Sequence, residues 1–211
     1  MTARATDLES PTILSKRFHS AFVLASLLHG NQRRKGSGTP YIAHLMAVCS
    51  LVLEAGGSED QGIAALLHDA VEDQGGAPIL NAIREEFGDE VAAIVAGCTD
   101  TDEQHKPSWR PRKERFLARV PDMPYDVRLV VTADKLHNVR SILADYRQHG
   151  EELWPRFTGN KEGTLWYYAT MTRLLMENLD SGETQLCYMT EELQRTVAEL
   201  VGLAGFPDFT S

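Results

Sequence analysis

Apolar residues recur at intervals of three and four along almost the whole chain, and that spacing admits one class of fold. Phe18, Ala21, Phe22, Ala25 and Leu28 form one stripe, and Ile42, Leu45, Val48, Cys49 and Val52 a second. Ile63, Leu66 and Leu67 belong to a third, Ile79, Ile83 and Phe87 to a fourth, and Val91, Ile94, Val95 and Cys98 to a fifth after Gly88. Later stripes run through Val127, Val130 and Val131, through Leu165, Tyr168, Thr172 and Leu175, and through Leu193, Val197, Leu200 and Val201. A period near 3.6 lays such residues on one face of an α-helix, whereas a half-buried strand needs alternation by two. The β-branched runs that a parallel sheet needs between its helices are missing. The spacing therefore predicts an all-α fold, a single-domain bundle of about eight to ten helices.

Glycine and proline punctuate the pattern. Gly36-Ser37-Gly38-Thr39-Pro40 predicts a loop before the second helix, and Gly56-Gly57-Ser58 its end, with Ser58 or Asp60 placed to cap the next. Gly75-Gly76 is another break. The polar stretch 99–112, with Pro107 and Pro111, predicts a long surface loop. The 211 residues suit one compact domain, expected over 15–205, with a short extension at 1–14 and a tail at 206–211.

Charge and cysteine content exclude several functions. Lys and Arg number 21 against 30 Asp and Glu, a net charge of −9. Such a surface repels a phosphodiester backbone, so no nucleic-acid partner is expected. A phosphorylated small molecule remains compatible, because a metal and a few local cations can hold it. Cys49, Cys98 and Cys187 are odd in number and far apart, so a disulfide framework is not expected and a reducing cytoplasm is the simplest setting. The first residues do not read as a signal peptide, and no apolar run approaches the ~18 residues of a membrane span. Self-association is left open.

Chemistry concentrates in His68-Asp69-Ala70-Val71-Glu72-Asp73, directly behind the apolar Ala64-Ala65-Leu66-Leu67. Read as one helix, His68 and Glu72 lie four apart, as do Asp69 and Asp73, so all four share one side. On this segment alone, a polar helix end and a functional site explain the pattern equally well. Two further segments shift the balance. One is Pro40-Tyr41-Ile42-Ala43-His44. The other is Ala133-Asp134-Lys135-Leu136-His137-Asn138, in a helix expected to begin near Tyr125. Asp134 follows Leu129-Val130-Val131, where a core helix would carry an inward polar group, and a buried carboxylate needs a partner or a metal. Asn138 and Ser141 extend Asp134 into a polar strip.

Together these segments resemble the HD superfamily of metal-dependent phosphohydrolases: a His, then a His-Asp pair, then a distant Asp. More narrowly, Arg34-Lys35 with its Gly-rich loop, TPYIAH, AALLHDAVED, FGDEVAAIVAGCTD and TADKLHNVR resemble the hydrolase domain of RelA/SpoT-type proteins, whose stand-alone form is the small alarmone hydrolase. The resemblance covers roughly residues 15–145. It implies that His44, His68, Asp69 and Asp134 hold one divalent metal ion, Mn²⁺ foremost, with Fe²⁺, Zn²⁺ or Mg²⁺ also suited to mixed nitrogen and oxygen ligands. It makes Glu72 and Asp73 the pair that orients and deprotonates the attacking water. Arg34 and Lys35 become the cations near the nucleotide, and Asn138 and Ser141 part of the pocket lining. The implied substrate is (p)ppGpp, cleaved to release pyrophosphate from the ribose 3′ position.

Competing functions share these residues. Another nucleotide, such as (p)ppApp, NADPH or a nucleoside monophosphate, would use the same metal and acids, because base identity depends on pocket contacts. A non-catalytic nucleotide sensor predicts a lost ligand or acid, and all six positions are filled. His19, His29, His105 and His149 lack matching partners and read as structural or surface residues. His137 reads as a core or supporting residue rather than a ligand. Trp154, Phe157, Trp166, Tyr167 and Tyr168 read as core or subunit contact.

Overall fold

The computed structural model describes residues 12–101 and 107–206, and every regular element assigned among them is a helix. Ten α-helices follow in order: α1 (Lys16–Leu28), α2 (Ile42–Glu54), α3 (Glu59–Leu67), α4 (Ala70–Gln74), α5 (Ala77–Phe87), α6 (Asp89–Cys98), α7 (Trp109–Arg119), α8 (Tyr125–His149), α9 (Asn160–Glu177) and α10 (Thr184–Leu203). Two short 3₁₀ turns flank α8. The extended pairing that occurs is a single bridge between Arg33 and Pro40. The expected all-α bundle is what forms. The proposed extension and tail lie mostly outside the described residues, as does His105.

The bundle is organised around α8. From Val127 to Asp134 eight consecutive residues are buried, so this helix has no solvent face in its first half. A helix buried on all sides belongs in the middle of a core. Helices α2, α3, α6, α9 and α10 pack around it. Gly97 permits the approach of α6, because a Cβ there would meet the side chain of Val127 at 2.6 Å. The base of α8 is fixed by buried Arg128, which donates to both carboxylate oxygens of Glu183, at 2.9 and 2.6 Å, beside α10. Ser58 caps α3 as expected, in a reciprocal capping box with Gln61.

Two sequence expectations are corrected. The segment from His68 to Asp73 is not one helix: α3 stops at Leu67, and Asp69, at φ −95° and ψ −4°, opens the short α4. The stretch 99–112 is not all surface loop. Thr99, Asp100 and Thr101 are buried, and α7 already begins at Trp109. Pro111 misleads because it falls in the first turn of α7, where a missing N–H breaks no intrahelical bond.

Candidate metal centre

Four side chains meet where α2, the α3–α4 junction and α8 converge. His44 is on the first turn of α2, one residue after Ala43, with Tyr41 just before the helix. His68 and Asp69 sit at the junction itself. Successive residues of a regular helix point about 100° apart. The break after Leu67 is what lets His68 and Asp69 face the same spot. Asp134 comes from the buried half of α8 and is 6% exposed.

The distances describe a tight cluster. His68 Nε2 is 3.0 Å from Asp69 Oδ2 and 3.6 Å from Asp134 Oδ1. His44 Nε2 is 3.2 Å from Asp134 Oδ1 and 3.5 Å from Asp69 Oδ2. Ligand atoms of His44, His68 and Asp134 lie within 4.8 Å of one another. The Nδ1 atoms are engaged elsewhere: His68 Nδ1 donates to the Ala65 carbonyl at 2.8 Å, and His44 Nδ1 is 2.8 Å from His137 Nδ1. Both Nε2 atoms are buried and lack a hydrogen-bond partner. In neutral His68 the Nε2 carries a lone pair, so an acceptor faces carboxylate acceptors. A shared cation resolves that conflict, and two imidazoles with two carboxylates suit a divalent ion of borderline character. The residues present therefore fit a metal.

The electrostatics are those of a proton in the cation's place. Burial raises the Asp69 carboxyl, but the charge of a protonated His68, with His44, outweighs it and holds it well below the usual carboxylate range. Burial opposes charge on His68, while Asp69 and Asp134 hold its pKa well above the usual imidazole value. Burial opposes ionisation of Asp134 too, and Lys135 beside it, with both imidazoles, pulls its pKa well down. The Tyr41 hydroxyl donates to Asp69 Oδ2 at 2.6 Å, and burial together with the Asp69 charge keeps that phenol protonated. Its ring stacks on buried His29. Asn138 donates to Asp134 Oδ1 from the next turn.

The remaining expected residues separate into near and far. Glu72, partly buried, accepts from Arg112 at 3.0 Å. Exposed Asp73 accepts from Gln32 at 2.8 Å. Arg34 donates to Asn138 Oδ1 at 2.8 Å, which brings the Gly-rich loop against α8. Lys35 is exposed on that loop. Ser141 turns its hydroxyl back onto its own helix, donating to the His137 carbonyl at 3.0 Å.

Sequence reasoning missed one side of the site. A cavity of about 30 Å³, room for about one water, is lined by His68, Asp69, Glu72, Asp100, Lys113 and Tyr167. Arg112 donates to Asp100 Oδ2 at 2.6 Å as well as to Glu72, and Lys113 reaches Asp100 at 2.7 Å. Lys113 also sits 4.9 Å from the Tyr167 ring centre. Tyr167 thus belongs to the cavity wall as well as to the core. The signal that could have exposed Arg112 and Lys113 was their spacing to Phe116 and Leu117, both buried, which marks a helix rather than a loop.

The chain is 40% identical over 125 residues to a probable guanosine-3′,5′-bis(diphosphate) 3′-pyrophosphohydrolase of Synechocystis, covering 58% of this chain and 16% of that one. It is 32% identical over 205 residues to a GTP pyrophosphokinase of Streptomyces coelicolor, covering 93% of this chain and 23% of that one. The chain therefore spans 16% to 23% of the length of these curated relatives. Among solved structures, a metazoan orthologue of SpoT described as hydrolysing ppGpp superposes with a TM-score of 0.67 at 27% identity, covering 87% of this chain and 97% of that one. A Listeria monocytogenes protein gives 0.66 at 29% identity, covering 75% and 99%. The HD domain family pattern matches residues 21–165, a span that takes in the whole cluster, and the chain belongs to that family.

Proposed function

We propose that the protein is a metal-dependent hydrolase that cleaves the bond between the ribose 3′ oxygen and the diphosphate of (p)ppGpp. The observation that carries this reading is the pair of buried Nε2 atoms of His44 and His68 without a hydrogen-bond partner, facing Asp69 and Asp134, with Glu72 lining the adjoining cavity and Asp73 next to it in the chain. The names of the relatives supply the substrate class. His44, His68, Asp69 and Asp134 would hold the ion, with Mn²⁺ the first candidate. A divalent ion so placed supplies Lewis acidity, acidifying water and offsetting phosphate charge.

The chain's own residues account for the rest of the reaction. Asp73 is exposed and can pass a proton to solvent, so it serves as general base toward the attacking water. Glu72 orients that water, its carboxylate pinned by Arg112. The water oxygen bonds to the phosphorus next to the ribose, the bond from that phosphorus to O3′ breaks, and O3′ takes up a proton as pyrophosphate leaves. Lys113, Lys135 and Tyr167 line the cavity, the two lysines paired with Asp100 and Asp134, and would meet phosphate oxygens there. Burial opposes the charge on Lys135, but adjacent Asp134 raises its pKa well above the usual lysine range, so it stays cationic. Arg34, Lys35 and Asn138 would take the nucleoside end.

The test is a screen of purified, metal-supplemented protein against ppGpp, pppGpp, ppApp, NADPH and nucleoside monophosphates. Pyrophosphate release from the guanosine compounds is expected. Orthophosphate as the product, or preference for NADPH or a monophosphate, would overturn the reading.

A further inference from the structure

We infer that His137 is a positioning residue for the metal centre: its Nδ1 accepts the Nδ1 proton of His44 and so selects the tautomer of His44 whose Nε2 is free to bind a cation. The inference rests on the metal reading above and assigns a function to a residue outside the ligand set.

The two Nδ1 atoms are 2.8 Å apart, with ring centres at 4.9 Å and a 40° tilt. Two nitrogens at that separation share one proton; both cannot carry one. Two arrangements follow. In the first, His44 is protonated at Nδ1 and donates, and its Nε2 presents a lone pair toward Asp134 Oδ1 and Asp69 Oδ2, at 3.2 and 3.5 Å. In the second, His137 donates, and the His44 proton sits on Nε2, where it would occupy the position a cation needs. Only the first arrangement gives a ligand. The same problem at His68 is solved by a backbone carbonyl, which can only accept and therefore fixes the proton on Nδ1. His44 is on the first turn of α2, where no carbonyl is hydrogen-bonded to its Nδ1 among the described residues, and a side chain from α8 takes that place. His137 is three residues after Asp134, on the same side of α8. One helix thus contributes both the carboxylate and the acceptor that orients the imidazole opposite it. Partners of this kind hold the ring and its tautomer, and their loss typically lowers metal affinity about 10- to 100-fold.

Two variants separate the acceptor from the bulk it carries. His137→Phe keeps a ring and removes the acceptor. His137→Asn loses volume and keeps an oxygen near the place of Nδ1. Mn²⁺ alone is titrated against metal-free parent and variants by electron paramagnetic resonance, with circular dichroism confirming helicity. We expect His137→Phe to bind about 10- to 100-fold more weakly and His137→Asn to recover most of the loss. Parent-like affinity in His137→Phe, or equal weakness in both variants, overturns the inference. The unaltered protein gives an independent reading: loaded with Zn²⁺, its imidazole ¹⁵N spectrum should show His44 protonated at Nδ1, and protonation at Nε2 overturns the inference. Failure of the parent to bind either ion would instead sink the metal reading itself.

Discussion

Replacing Arg112 by methionine isolates the side of the site that composition hides. The guanidinium donates from one nitrogen to Glu72 Oε1 at 3.0 Å and to Asp100 Oδ2 at 2.6 Å, and its side chain is only 13% exposed. Methionine keeps most of the stem and removes both bonds. Asp100 retains Lys113 at 2.7 Å, so the loss falls mainly on Glu72. A hydrogen bond between charged groups contributes about 1.5–3 kcal/mol. If that energy serves to hold Glu72 in its reactive pose, it converts to a fall in kcat of roughly 10- to 150-fold. KM for ppGpp should stay within about threefold, because Arg112 lies behind the acid and not on the nucleotide side. Bound Mn²⁺ should remain stoichiometric. Arg112→Lys should fall between parent and methionine, since an ammonium on a shorter stem reaches one carboxylate well and not two. The assay is steady-state pyrophosphate release with metal content measured on the same samples. An Arg112→Met protein with parental kcat would refute the positioning of Glu72 by Arg112, and one that loses metal would show that the pair supports the ligands instead.

Four further outcomes are expected. His68→Ala or Asp134→Ala should abolish bound metal and turnover together, and stripping the parent with a chelator should lower Tm by about 5–11 °C relative to protein at a hundredfold excess of metal over Kd; an unchanged Tm would argue against a site in the folded core. Glu72→Gln and Asp73→Asn should keep the metal and lose about 10²-fold or more in kcat, and metal loss in either would make that acid a ligand. Arg34→Ala should weaken binding and blur the choice between guanine and adenine alarmones, while exposed Lys35→Ala should weaken all polyphosphates alike, most at low salt; parental kcat/KM in both at two salt concentrations would remove the loop from the site. Burial pushes the Cys49 thiol up to about 11, and the Cys98 thiol is raised still further by burial and by Asp134. A raised thiol pKa leaves less thiolate at any pH below it, so iodoacetamide at pH 8 should modify Cys187 and spare these two, and equal labelling of all three would contradict the packing around them.

Much of this was legible in the sequence, for physical reasons that differ by residue. The helices were readable because burial on one face imposes a spacing, as in α2 and α10. Asp134 was readable because a lone carboxylate in an apolar run has few uses. The bend between His68 and Asp69 was not, since His, Asp and Ala give no breaking signal and the turn is set by tertiary packing. Arg112 and Lys113 were hidden by the two prolines just before them, Pro107 and Pro111. Tyr41 was hidden for another reason: its bond to Asp69 joins segments whose proximity no local pattern reveals.

Ligands at positions 44 and 134 have a consequence for how the protein responds to metal supply. An ion gripped by both would act as a removable cross-link, closing a loop of roughly ninety residues that takes in helices α2 to α7. Unlike a disulfide it forms only after the helices have assembled, because the unfolded chain leaves the four side chains scattered. Starvation for the ion would then be felt as easier opening of the whole domain, and a protease would report it before any substrate did.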